Sequence, residues 1–177
     1  MTDNGHVYGC GNNEYGQLSD KYMDSNSVIQ CFLKLYNIVY IDCCANSSYI
    51  LDNNGVLRSF GDNRCGQLGI NKRDIKYSKS VLTCLSGDNV SELCCGSLYI
   101  GLITSNNGVY MYGHNGFYQC GCDNIDYCHS GNKIILKNND EIMSVKCGGY
   151  HTILKTINNH YYVCGWNKYD RLLLNVN

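Results

Sequence analysis

Apolar residues in this chain fall in short runs, each closed by a polar turn. Tyr49-Ile50-Leu51, Val56-Leu57-Arg58-Ser59-Phe60, Ile100-Gly101-Leu102-Ile103 and Thr152-Ile153-Leu154 are of strand length and bounded by Asn, Asp, Ser or Gly. No longer pattern repeats apolar positions at intervals of three and four, so helices are not expected. The first two runs flank Asp52-Asn53-Asn54-Gly55. Its Asn54-Gly55 dipeptide suits a two-residue type I′ hairpin, in which both central residues need positive φ. After Phe60 the stretch Gly61-Asp62-Asn63-Arg64-Cys65-Gly66-Gln67-Leu68-Gly69 is too rich in glycine to be a regular element.

These features recur. Gly11, Gly61, Gly113 and Gly165 each end a strand, at spacings of 50, 52 and 52 residues. Two positions beyond stand Asn13, Asn63, Asn115 and Asn167; six beyond stand Gln17, Gln67 and Gln119, then Arg171, where the pattern decays. A second anchor, Cys44, Cys95 and Cys147, keeps spacings of 51 and 52. One period in two separate anchors marks a true repeat. The unit holds about four short strands, in the second copy near Val56–Phe60, Ser80–Leu85, Val90–Cys94 and Tyr99–Thr104. Four strands in a period near fifty describe an all-β fold of propeller-type blades, each of four short antiparallel strands. The chain divides as a single repeat domain over 1–177, with units at about 5–54, 55–107, 108–159 and a partial 160–177. Thr2-Asp3-Asn4-Gly5 aligns with the turn at Asp52–Gly55, so the strand that would pair with His6–Cys10 is expected to be missing.

The repeats resemble the regulator-of-chromosome-condensation (RCC1-like) family of β-propellers, about three and a half degenerate copies of it. The resemblance is carried by Val7-Tyr8-Gly9-Cys10-Gly11-Asn12-Asn13-Glu14-Tyr15-Gly16-Gln17-Leu18, by its copy Phe60–Gly69, and by Cys147-Gly148-Gly149-Tyr150-His151-Thr152. It implies a seven-bladed ring, relative to which 177 residues are incomplete. The family's Trp before the loop glycine is replaced by Cys10, Phe60, Tyr112 and Cys164, its His-Thr pair survives only at His151-Thr152, and proline is absent. The resemblance gives His151 a structural role, orienting a turn by hydrogen bonding.

Charge and composition narrow the function. Lys plus Arg is 14 and Asp plus Glu 15, a net charge of −1 that offers nucleic acid no general attraction. The basic loop Lys72, Arg73, Lys76 and Lys79 is interrupted by Asp74 and reads as a solvated surface. Neither a secretory leader nor an apolar run long enough to span a bilayer is present, which points to an intracellular protein of cytoplasm or nucleus. Thirteen cysteines, an odd number with no Cys-x-x-Cys pair, recur at fixed repeat positions. They read as core thiols in a reducing compartment. The exception is Cys120-x-Cys122 with Cys128-His129, a weak candidate metal set of unfamiliar spacing, in which Cys120 falls where Leu18 and Leu68 sit.

No phosphate-cradling motif and no nucleophile–base–orienter set can be named, so neither catalysis nor a cofactor is expected. The loops Asn12–Tyr15, Asp62–Cys65, His114–Tyr118 and Trp166–Asp170 occupy equivalent positions and should line one rim. They carry Tyr15, Arg64, Phe117, Tyr118, Trp166 and Tyr169, residue types suited to a docking surface and equally to packing between blades. The reading is a non-enzymatic scaffold for a protein partner. Its alternatives are nucleotide exchange on a small GTPase or chromatin regulation, as the resemblance implies for some members, and a degenerate fragment of a longer propeller. Self-association to complete a ring is a further expectation.

Overall fold

The computed structural model describes residues 1–2, 6–18, 25–34, 37–70, 78–82, 88–123, 126–169 and 172, with 25–34 and 78–82 described by backbone alone. The opening turn at Asp3–Gly5, the basic loop with Lys72, Arg73 and Lys76, and Arg171 lie outside these residues. Among the described residues there are thirteen strands and no helix, hence none long and apolar enough to cross a membrane.

The strands form four antiparallel sheets. The first pairs β1 (His6–Asn12) with β2 (Ser25–Lys34). The second is β3 (Ile38–Cys44), β4 (Ser47–Asp52), β5 (Leu57–Gly61) and β6 (Ser78–Leu82), neighbours in that order. The third repeats it with β7 (Val90–Cys95), β8 (Tyr99–Thr104), β9 (Val109–His114) and β10 (Tyr127–Lys133). The fourth contains β11 (Ile142–Cys147), β12 (His151–Thr156) and β13 (Tyr161–Gly165). Neighbouring sheets meet chiefly through their first strands, β3 with β7 and β7 with β11, as at the hub of a propeller. The sheet is therefore two strands out of step with the sequence unit: β5 and β6 fall in one blade and β7 and β8 in the next, while 83–85 of the expected Ser80–Leu85 strand lie outside the described residues.

The two central strands of each middle blade are covered on both faces, which is why they read as continuous apolar runs, whereas β3 leaves Val39, Tyr40 and Ile41 exposed. Every residue of β8 is buried. Alternate side chains go to opposite faces: Ile100 and Leu102 pack toward the second sheet, with Leu51, Leu57 and Leu68, while Tyr99 and Ile103 pack toward the fourth, with Val145 and Leu154. Gly101 lets two sheets approach. A Cβ there would sit 3.1 Å from each of Cys94 Sγ, Met111 Sδ and Val145 Cγ2. The described core between the first and second sheets is smaller, four residues (Val7, Ile38, Ile50, Phe60) against ten in each of the others.

The turns repeat as closely as the strands. Asp52, Thr104 and Thr156 each end a strand, and a side-chain oxygen of each accepts the N–H four residues on, from Val56 at 3.0 Å, Gly108 at 3.2 Å and His160 at 3.2 Å. The positive-φ residue is Gly55, Asn107 or Asn159. Asn54 is not among the positive-φ residues, so the expected type I′ hairpin is not formed. The Asp52 carboxylate also accepts from Asn54 N, which holds a longer turn with one left-handed residue at its end.

Ile100, fully buried between two sheets, gives a direct test. Ile100→Ala should destabilise by about 2–5 kcal/mol through the cavity it leaves. Urea unfolding measures this; an unchanged midpoint would show that the site collapses to fill the space.

Candidate interaction surface

Four strand ends build the loop face. Gly11, Gly61, Gly113 and Gly165 all hold φ between 102° and 110°, left-handed backbone that L side chains rarely adopt. The next residue then turns its N–H onto the preceding hairpin: Asp62 onto Asn46 O at 2.9 Å, His114 onto Leu98 O at 2.9 Å and Trp166 onto Tyr150 O at 2.7 Å. A Cβ on Gly61, Gly113 or Gly165 would meet the same carbonyl at 2.1–2.4 Å, whereas around Gly11 nothing described lies within 4 Å.

Beyond the glycine, an asparagine closes each loop. Oδ1 of Asn13, Asn63, Asn115 and Asn167 accepts the N–H five residues on, from Leu18, Leu68, Cys120 and Leu172, at 2.7–2.9 Å. A glutamine adds a second staple. Oε1 of Gln17, Gln67 and Gln119 accepts the N–H two residues back, from Tyr15, Cys65 and Phe117, each at 2.9 Å. These polar side chains are buried, apart from the half-buried Asn167, and no buried side-chain nitrogen or oxygen among the described residues lacks a partner. With Oε1 engaged, the Gln119 amide nitrogen donates to His114 Nδ1 at 2.7 Å. That fixes His114 as the neutral tautomer protonated at Nε2. Burial lowers its pKa, against a smaller opposing pull from Asp126.

The expected rim residues divide into two groups. Arg64 reaches back to the buried Asp62 with Nε and Nη2 at 3.0 and 2.9 Å, and its guanidinium lies 4.8 Å from the centroid of the Tyr15 ring, joining the first two loops. Phe117 stacks on Trp166 at 5.4 Å, and Tyr150 stands edge-on to both at 5.3 and 6.0 Å, joining the last two. His114 completes this second cluster, 6.0 Å from Phe117 and 6.3 Å from Tyr150. Phe117 remains 39% exposed. Tyr118 and Tyr169 are exposed outliers, at left-handed φ of 61° and 70°. Sequence reasoning missed Tyr150 and His114 as partners of this cluster; Tyr150 comes from the hairpin before β12, and only the fold brings it to the loops.

The cysteine positions need adjustment. Sheet register puts Cys43, opposite Ser48, at the place of Cys95 opposite Ile100 and Cys147 opposite Thr152; Cys44 lies one residue on, opposite Ser47. The hairpin is the same length in all three sheets, so Cys43, not Cys44, keeps the 52-residue period with Cys95 and Cys147. Cys44 is buried, Cys95 and Cys147 half-buried, and Cys10 exposed, so Cys10 is not a core thiol like its counterparts Phe60 and Tyr112. The His151 ring lies over Gly148, where a Cβ would meet it at 2.3 Å, and its carbonyl accepts from Tyr99 OH. Gly96 makes the same room for the ring of Tyr99, and where Ser47 replaces a ring the glycine's place is taken by Cys44.

The weak metal set separates. Cys120 fills the buried slot of Leu68, and Cys122 Sγ lies 3.0 Å from Cys128 Sγ, but the His129 ring is turned toward Gly66 of the neighbouring loop and Tyr127. No group of three or more His, Cys, Asp or Glu among the described residues is arranged to hold a metal ion. A separate groove of about 540 Å³ runs along β13, lined by Ile134, Leu136, Leu154, Tyr162 and Cys164 among others.

These blades place the chain in the class of repeat-built β-propellers. Residues 106–154 match the Regulator of chromosome condensation (RCC1) repeat family, which the chain resembles. It is 26% identical over 149 residues to the human probable E3 ubiquitin-protein ligase HERC4, a match covering 82% of this chain and 14% of that protein. Among solved structures, human WBSCR16 superposes with a TM-score of 0.79 at 22% identity, covering 94% of this chain and 44% of that one. Prp20p from Saccharomyces cerevisiae, whose structure was described with its binding to Gsp1p and histones, gives 0.73 at 22%, covering 92% and 40%. The chain thus spans part of a propeller of this kind.

Asn115→Ala should cost about 1–3 kcal/mol by stranding the buried Cys120 amide; thermal melts of the variant and the parent chain measure it. His114 should titrate below the usual value of about 6.5 by NMR. Because the fold favours the neutral ring, the unfolded chain takes the proton first. Stability from this contact is therefore present above that value and declines as pH falls below it.

Proposed function

We propose that the chain is a non-enzymatic scaffold that captures a protein partner on its loop face, centred on Phe117, Trp166, Tyr150 and His114. The supporting observation is the preorganisation of this cluster. Four rings from two blades are held in mutual contact by the Asn115 and Gln119 staples, with Phe117 left partly open to solvent. Rigid aromatics that lose little entropy on docking are the usual anchors of protein interfaces. A reducing intracellular compartment suits the free thiols.

Nucleotide exchange on a small GTPase is the second reading, favoured by the likeness to Prp20p and its Gsp1p binding.

Phe117→Ala and Trp166→Ala should each weaken partner capture by roughly thirtyfold, the scale of an interface hot spot, while Tyr118→Ala and Tyr169→Ala change it little. Binding of the captured partner to the purified variants measures this. Equal losses at all four positions, or none at Phe117 and Trp166, would move the docking site elsewhere. Accelerated release of labelled GDP from a GTPase would select the second reading.

A further inference from the structure

Among the described residues the thiols meet as three close pairs, the third joined by Cys120, and the pairs differ in which thiols their surroundings hold protonated. Cys44 meets Cys95, and Cys94 Sγ stands 2.7 Å from Cys147 Sγ, both pairs between neighbouring sheets. Hydrogen bonding to Cys44 holds Cys95 protonated, and burial does the same for Cys147. The third pair lies in the loop before β10. Cys122 Sγ and Cys128 Sγ are 3.0 Å apart, inside van der Waals contact and about 1 Å from the bonding distance of a disulfide. Cys122 is half-exposed, and the Asn115 amide nitrogen holds its sulfur at 3.2 Å. Cys128 is further hydrogen-bonded by the buried Cys120 thiol, which with Cys122 brings its pKa down to about 7. A thiolate at neutral pH beside a second thiol is the arrangement on which peroxides act.

We propose that Cys122 and Cys128 are a redox-active dithiol, closed to an intramolecular disulfide by hydrogen peroxide. The Cys128 thiolate attacks one peroxide oxygen; the S–O bond forms, the O–O bond breaks, and the departing hydroxide takes a proton to leave as water. Cys122 then gives up its proton and attacks the Cys128 sulfenic sulfur, forming the S–S bond and expelling the second water. Two thiols are oxidised by two electrons and one peroxide is reduced to two waters. The product ties the loop stapled by Asn115 to the first turn of β10, and a dithiol reductant reverses it.

The test uses the full chain, reduced, exposed to one equivalent of hydrogen peroxide at neutral pH, then alkylated and cut before aspartate. Asp123 and Asp126 lie between the two cysteines, so the disulfide appears as two peptides joined by a bond. The expected result is that joined pair, with loss of alkylation at Cys122 and Cys128 and full alkylation of Cys94 and Cys147. In Cys122→Ser the joined pair is lost and Cys128 is trapped by dimedone as the sulfenic acid. A disulfide at Cys94–Cys147 in place of this one, or unchanged alkylation of Cys128, overturns the proposal. The wild-type map decides it even if the variant does not fold.

Discussion

The asparagine two residues past each strand-ending glycine is the contact on which the loop face depends. A loop of this length leaves several backbone N–H groups facing inward, and each must find an acceptor or carry a desolvation cost. Asn13, Asn63, Asn115 and Asn167 answer one of them, five residues on, in all four repeats. The glutamine answers another in three. With the backbone fixed, the side chains between staple and strand have one way to point. In the last two repeats they meet as a cluster of rings.

The repeat tolerates substitution only in coordinated steps. A ring at Tyr99 or His151 comes with Gly96 or Gly148 beneath it, and a small Ser47 comes with Cys44 in that place. Tyr118 takes the place of Gly16 and Gly66 and still holds φ at 61°, a conformation costly for an aromatic residue. The neighbouring hydrogen bonds of Asn115 and Gln119 impose it, which shows how firmly the loop is held.

The thiols show the same interplay of repeat and neighbour. Cys120 sits in a leucine slot because its environment is apolar and closed, and Cys128 beside it is buried too. Cys122 escapes that pattern, since it lies past the end of the staple, where solvent reaches and the turn before β10 folds back on it.

The sequence by itself determined the strands, the period, the antiparallel blade, and the glycine, asparagine and glutamine positions that shape each loop. All of these are set by local physics: backbone φ, chain reversal and a side chain reaching its own loop. It misread the hairpin at Asn54-Gly55, where Asp52 supplies acceptors that favour the longer turn. It also placed Cys44 where the register puts Cys43, because either of two adjacent cysteines fits a spacing near fifty and only the pairing tells them apart. Only the tertiary structure decided which strands share a blade, which faces close on which neighbour, and that Tyr150 and His114 join Phe117 and Trp166. Those outcomes rest on contacts between repeats fifty residues apart, and a repeat carries the same local signal whichever neighbour it packs against.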